Sequence, residues 1–357
     1  MSGPPGRHGD PSIAAIDPPV DSPADRPVDS PADRPVDPRA ASPQALATSL
    51  GAHGYIVDDA LAMTTYLALR MQRPLFLEGA PGVGKTLLAG VLAAVFDTRL
   101  IRLSCYEGLD LAQAAYEWNY PRQLLALQAH TRAASAGAAS AGSAEDAELA
   151  GIYREAFLMR RPLLQAIDAA ADRAPVLLID EIDRADEEFE SFLLELLGEF
   201  QITIPELGTL RARHRPIVVL TSNRTRDVHD ALKRRCLYHW IDYPAFATEV
   251  EIVRRKVPAL ADQLRRRVVA FVQRLRREDL YKLPGVAETI DWAEAISYVA
   301  GAAAGPGSAG GPGSAGLAAG QLDAATVDAT LGLLLKYHDD IERMRGAMVE
   351  QLLAESA

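Results

Sequence analysis

Cysteine is nearly missing: Cys105 and Cys236 are the only two in 357 residues. Two thiols cannot build a disulfide framework, and they read most simply as free thiols in a reducing compartment. Long apolar runs are missing too. No stretch approaches the roughly 18 uninterrupted apolar residues of a membrane span, and Pro and Asp interrupt each apolar run near the start, so no signal peptide is expected. A cytoplasmic protein is the expectation. Positive charge is in deficit, with 37 Lys and Arg against 48 Asp and Glu, a formal net charge of −11. That balance argues against a general nucleic-acid binder, because nothing global attracts phosphate. Histidine is sparse as well. His229 and His239 are too far apart for a short metal-ligand spacing, so no zinc site is expected.

Hydrophobic residues make up 48% of the chain, and the length suits two domains of ordinary size. Residues 1–43 are rich in Pro, Asp, Ser, Ala and Gly, and the unit Pro-Val-Asp-Ser-Pro-Ala-Asp-Arg occurs at 19–26 and again at 27–34. So little apolar surface cannot offset the entropy of ordering, which predicts a disordered arm. Two Ala/Gly/Ser-rich stretches, 131–147 and 301–316, are expected to be flexible inserts.

Between these stretches short apolar runs alternate with amphipathic segments. A helix is predicted over Val57–Met71, opened by Asp58 and Asp59, and a second over Lys85–Phe96. Leu75–Leu77, Leu100–Leu103, Val176–Ile179, Ile217–Leu220 and Leu237–Ile241 have strand length. Their continuous apolarity suits strands buried on both faces of a parallel sheet, which makes 44–244 a three-layer α/β/α domain. Beyond it, over 245–357, only helical periodicity remains. Leu264, Val268, Phe271 and Leu275 share one face of a predicted helix in an all-helical second domain.

Three motifs carry chemistry. Gly79-Ala80-Pro81-Gly82-Val83-Gly84-Lys85-Thr86 is a complete G-x-x-x-x-G-K-T loop between a predicted strand and helix. Its glycines let the backbone curl N–H groups toward phosphate oxygens, beside the positive end of the helix that runs on through Leu87. Lys85 then reaches the β- and γ-phosphates, and the Thr86 hydroxyl can ligate Mg²⁺. Val176-Leu177-Leu178-Ile179-Asp180-Glu181 sets two carboxylates at the end of a buried strand. Asp180 is read as a Mg²⁺ holder, through water or directly, and Glu181 as the base for an attacking water. Asn223, ending the predicted strand Ile217-Val218-Val219-Leu220-Thr221-Ser222-Asn223, is placed to bond the γ-phosphate or that water.

With the downstream segment Ala231-Leu232-Lys233-Arg234-Arg235-Cys236, these motifs follow the order of AAA+ ATPases. Arg235, with Arg234 beside it, resembles the arginine finger that such proteins insert into a neighbouring subunit's ATP site. Finer features resemble the MoxR group and its CoxD-like branch: Asp180 to Ala185 before an acidic helix, Phe200-Gln201-Ile202-Thr203-Ile204-Pro205 as a hairpin insertion, and Lys282-Leu283-Pro284-Gly285-Val286. A second sensor arginine is common in such lids, but Asp291-Trp292-Ala293 stands at that place here. The resemblance implies an ATP- and Mg²⁺-dependent hydrolase in a ring, a hexamer by family habit, that remodels a client. It also implies a partner with a von Willebrand A domain and a client such as a molybdenum hydroxylase of the carbon monoxide dehydrogenase kind. Two other readings stay open. One is a regulatory module whose ATP state recruits a partner without useful turnover. The other is a nucleic-acid-directed motor, supported by the ten Lys/Arg against five Asp/Glu over 245–282.

Overall fold

The computed structural model describes residues 37–135, 152–167, 173–303 and 321–355. A 3-10 turn at Pro38–Ala40 leads into α1 (Pro43–Ala52) and α2 (Asp59–Met71), then β1 (Leu75–Gly79), α3 (Lys85–Val95) and β2 (Leu100–Ser104). Next come α4 (Leu111–Ala114), β3 (Tyr116–Trp118), α5 (Tyr120–Ser135), β4 (Leu158–Arg160), α6 (Pro162–Ile167) and β5 (Val176–Asp180). The helix α7 (Glu187–Glu199) precedes β6 (Gln201–Ile204) and β7 (Gly208–Arg211), followed by β8 (Ile217–Ser222), α8 (Asp230–Arg235) and β9 (Leu237–Ile241). After β9 the described residues hold helices only: α9 (Phe246–Lys256), α10 (Asp262–Leu275), α11 (Val286–Ala303), α12 (Ala324–Leu334), α13 (His338–Met344) and α14 (Ala347–Glu355).

Five strands form one parallel sheet in the order β2-β5-β8-β1-β9. Strand residues alternate between two cores. Leu75, Leu77, Val176, Leu178 and Val219 pack with α1, α2 and α3 on one face, while Phe76, Ile101, Leu103, Leu177, Ile179 and Leu220 meet α6 and α7 on the other. Burial on both faces is why β1, β5 and β8 read as unbroken apolar runs. The expectation of double burial fails for β2 and β9, which lie at the sheet edges and alternate in exposure along their length. The register sets Ser104 beside Asp180 and Glu78 beside Ser222, so the strands end together along one edge. This is the three-layer α/β/α arrangement predicted from the sequence. The later helices close over a core of their own, including Val253, Val268, Phe271, Trp292 and Leu331. Among the described residues no helix is long and apolar enough to cross a membrane.

Several boundaries differ from expectation. Residues 37–43 fell in the predicted disordered arm, yet Arg39 donates to the Val95 carbonyl and lies over the Phe96 ring, which ties this segment to α3. Residues 1–36 lie outside the described residues. The insert expected at 131–147 begins with helix: α5 runs to Ser135, as the high helix propensity of Ala133 and Ala134 favours. Likewise α11 extends through 301–303, the start of the second insert. The rest of both inserts, 136–147 and 304–316, lies outside the described residues. The antiparallel pair β3–β4, Tyr116 to Trp118 against Leu158 to Arg160, was not foreseen. Three-residue strands are too short to show a period, and these lie about forty positions apart by pairing Tyr116 with Arg160.

Candidate functional site

The end of β1 turns through 80–84 and starts α3. Gly84 caps that helix at φ +94, a left-handed backbone that a side chain would strain, and no side chain covers the first-turn N–H groups. An anion is therefore welcome there. Lys85 is buried, and its Nζ donates to the Gly79 and Ala80 carbonyls at 2.8 and 2.7 Å. Burial pushes its pKa down to about 8, against the opposing pull of Asp183, Asp180, Glu181 and Glu78.

Three hydrogen-bond donors converge on the Asp180 carboxylate at the end of β5. Thr86 Oγ1 donates to Oδ1 at 2.8 Å, Thr221 Oγ1 donates to the same oxygen at 2.6 Å, and Arg102 pairs with Oδ2. The adjoining Glu181 has a left-handed backbone at φ 57, which turns the chain sharply away from the sheet. Such strain in a non-glycine residue is typical of sites that must aim a side chain. Its N–H donates to Thr221 Oγ1 at 3.0 Å. Its carboxylate meets Asn223 Nδ2 at 3.4 Å on one oxygen and Arg184 at 3.2 Å on the other. Asp183 holds the chain of Asn223 in place by accepting from the Asn223 and Thr225 N–H groups at 3.2 and 2.8 Å.

These groups open into a cleft of about 760 Å³. Pro81, Gly82, Val83, Gly84, Lys85, Thr86 and Leu87 line it, with Asp180, Glu181, Thr221 and Asn223. Gly79 and Ala80 do not line it; their carbonyls turn toward Lys85. The opposite walls are Tyr55 and Ile56 before α2, Ile252 of α9, and Val286, Ala287 and Ile290 of α11. The turn before α11 rests directly on the loop: Ala287 N–H donates to the Gly82 carbonyl, and a Cβ on Gly285 would sit 2.7 Å from the Pro81 carbonyl. Arg234 and Arg235 are exposed and lie outside the cleft lining. The Arg235 guanidinium packs near Gly198 of α7, and Arg73 donates to the Arg234, Arg235 and Cys236 carbonyls.

The cleft thus offers an anion cradle, a buried ammonium, a hydroxyl–carboxylate pair suited to a hard cation, and a carboxylate–amide pair suited to a water. Thr221, Asp183, Arg102 and Arg184 escaped the sequence as site residues. Thr221 and Asp183 stood inside the motifs, but only the sheet register and the turn after β5 show what they bond. Arg102 lies on a different strand, 78 residues from its partner. No curated protein matches this chain. Residues 74–236 match the family model for the AAA domain, dynein-related subfamily. Together with the five-stranded sheet, that match supports an AAA+ ATPase, a nucleotide-binding and nucleotide-hydrolysing domain of a class that usually works with Mg²⁺.

Proposed function

We propose that the chain is a Mg²⁺-dependent ATP hydrolase of the MoxR type, close to its CoxD-like branch, that remodels or matures a partner protein. The observation that carries this reading is the convergence of Thr86 and Thr221 on Asp180, with Glu181 facing Asn223 across the ends of β5 and β8. The donor set fits the implied groups: a hydroxyl and a carboxylate within hydrogen-bond reach suit an oxygen-seeking Mg²⁺. The apolar walls of Ile56, Ile252 and Ile290 suit a base. Mg²⁺ held by Thr86 and Asp180 would supply charge neutralisation on the β- and γ-phosphates.

The chain's own residues divide the remaining tasks. The loop backbone from Gly79 through Leu87 orients the triphosphate, and Lys85 releases its two carbonyl partners to reach phosphate oxygens. Glu181 takes a proton from the attacking water, while Asn223 holds that water or the γ-phosphate. Thr221 and Asp183 keep Glu181 and Asn223 in register. Arg235, with Arg234 beside it, serves the site of a neighbouring subunit in a ring, which is consistent with their place outside their own cleft. The family likeness extends the proposal to a hexamer, a partner with a von Willebrand A domain, and a metalloenzyme client such as a molybdenum hydroxylase.

The test is steady-state ATP turnover with and without Mg²⁺, for the full chain and Glu181→Gln. The variant should still bind ATP and turn it over at least about a hundredfold more slowly, the usual contribution of a positioned base. Equal rates would remove Glu181 from the chemistry. Stimulation by a von Willebrand A partner supports remodelling, stimulation by duplex DNA supports the nucleic-acid motor, and binding without turnover in the unaltered chain supports the regulatory module.

A further inference from the structure

A second cavity, of about 210 Å³, lies at the opposite edge of the sheet, where β1 and β8 begin. Its apolar walls include Leu75 of β1, Val219 of β8, Leu92 of α3 and Phe96. Two polar atoms buried in its lining have no hydrogen-bond partner: Thr65 Oγ1 and Gln72 Oε1. Thr65 is 1% exposed, and an unmet polar group buried in this way is destabilising. Four charged residues also line the cavity. Asp37 is bound to Arg39, Arg73 is committed to the carbonyls of 234–236, and Arg215 lies 5.3 Å over the Phe200 ring. The Arg70 side chain has neither a hydrogen bond nor an ion pair among the described residues.

We propose that this cavity is a second ligand site, for a small hydroxy acid with a compact apolar body, of hydroxybenzoate size. The volume sets the body: a dry cavity of about 150 Å³ already holds benzene. The unmet atoms set the hydroxyl, which must bring a hydrogen for Gln72 Oε1, while the Thr65 hydroxyl can donate to the ligand in turn. The exposed Arg70, with Arg215, sets the carboxylate, since a guanidinium pairs with a carboxylate in a bidentate fork. The site is independent of the nucleotide cleft and stands whether or not the cleft hydrolyses ATP.

The probe is 4-hydroxybenzoate, titrated calorimetrically into the full chain. Saturable one-site binding is expected, unaffected by a saturating non-hydrolysable ATP analogue. Benzoate, which lacks the donor, should bind several-fold more weakly, the effect of about 1 kcal/mol for one hydrogen bond. Arg70→Ala changes an exposed side chain and should weaken binding about tenfold or more, as loss of a charged hydrogen bond does. Thr65→Val, which replaces the unmet hydroxyl by a methyl, should raise the melting temperature of the unliganded protein. The proposal is overturned by absence of saturable binding at millimolar probe, by displacement of the probe by the ATP analogue, or by equal affinity of Arg70→Ala. Crystals soaked in the probe that show only ordered water on Thr65 and Gln72 overturn it as well.

Discussion

Lys85 shows how one buried side chain links pH to both folding and binding. Its pKa of about 8 in the nucleotide-free protein lies below the ordinary lysine value because burial disfavours the charge. Between about 8 and that ordinary value the unfolded chain holds a proton that the folded chain has released. Stability from this residue therefore rises with pH across that window. Nucleotide binding has the opposite sign, because the phosphates need a charged Nζ. Affinity for a fluorescent ATP analogue should be level below pH 8 and fall above it, approaching tenfold per pH unit. The phosphate groups are already ionised in this range, with a second pKa near ~6. A flat affinity from pH 7 to 9.5 would contradict the assignment of Lys85 to phosphate. The motif was legible in the residues themselves, because G-x-x-x-x-G-K-T is local. The lowered pKa was not, since it depends on burial by segments that only the fold brings around the side chain, against the opposing pull of Asp183, Asp180, Glu181 and Glu78.

At the scale of elements, the helical region is tied together by a charge that periodicity cannot reveal. Glu249 of α9 is fully buried, and Arg276, just past α10, pairs with both its oxygens at 2.8 and 2.7 Å. Arg276 also donates to the Pro284 carbonyl and to Thr289 Oγ1, and lies 4.5 Å over the Tyr243 ring. One guanidinium therefore joins α9, α10, α11 and the end of the sheet domain, and holds the 284–287 turn where Gly285 meets Pro81. Arg276→Met leaves the buried Glu249 carboxylate without its cation, with only Gln273 Nε2 and Thr289 Oγ1 still donating to it. Urea unfolding should show a loss of about 3–5 kcal/mol, the usual cost of breaking a buried pair. A loss below about 1 kcal/mol would mean that the Gln273 and Thr289 donors, or entering water, suffice for Glu249. The amphipathic stripe from Leu264 to Leu275 was readable because helical spacing is local. The Arg276–Glu249 pair spans 27 residues, and the basic tally over 245–282 gave no hint that the Arg276 and Arg265 side chains are buried.

For the whole molecule, the position of Arg235 outside its own cleft makes a test by subunit mixing possible. Arg235→Ala should bind ATP yet lose turnover by on the order of 10³-fold, the scale of an arginine finger. Combined with Lys85→Ala, each inactive alone, it should recover part of the ATPase activity. In the proposed ring, the Lys85→Ala subunit would lend its arginine to a neighbour with an intact loop. Sizing of both variants separates a silent ring from a failed one. Silence in demonstrably mixed rings, or full activity of Arg235→Ala alone, would reassign the finger to Arg234 or abolish it. What the sequence determined by itself was whatever depends on neighbours along the chain: the G-x-x-x-x-G-K-T loop between strand and helix, the acidic strand end, the doubly buried central strands β1, β5 and β8, and the amphipathic helices. Only the tertiary structure decided the strand order β2-β5-β8-β1-β9, the β3–β4 pair, the Arg102–Asp180 contact and the seat of Gly285 on Pro81. Each of these joins residues far apart in sequence, and such contacts are selected by packing and by the need to pair buried polar groups, which leave no local period to read.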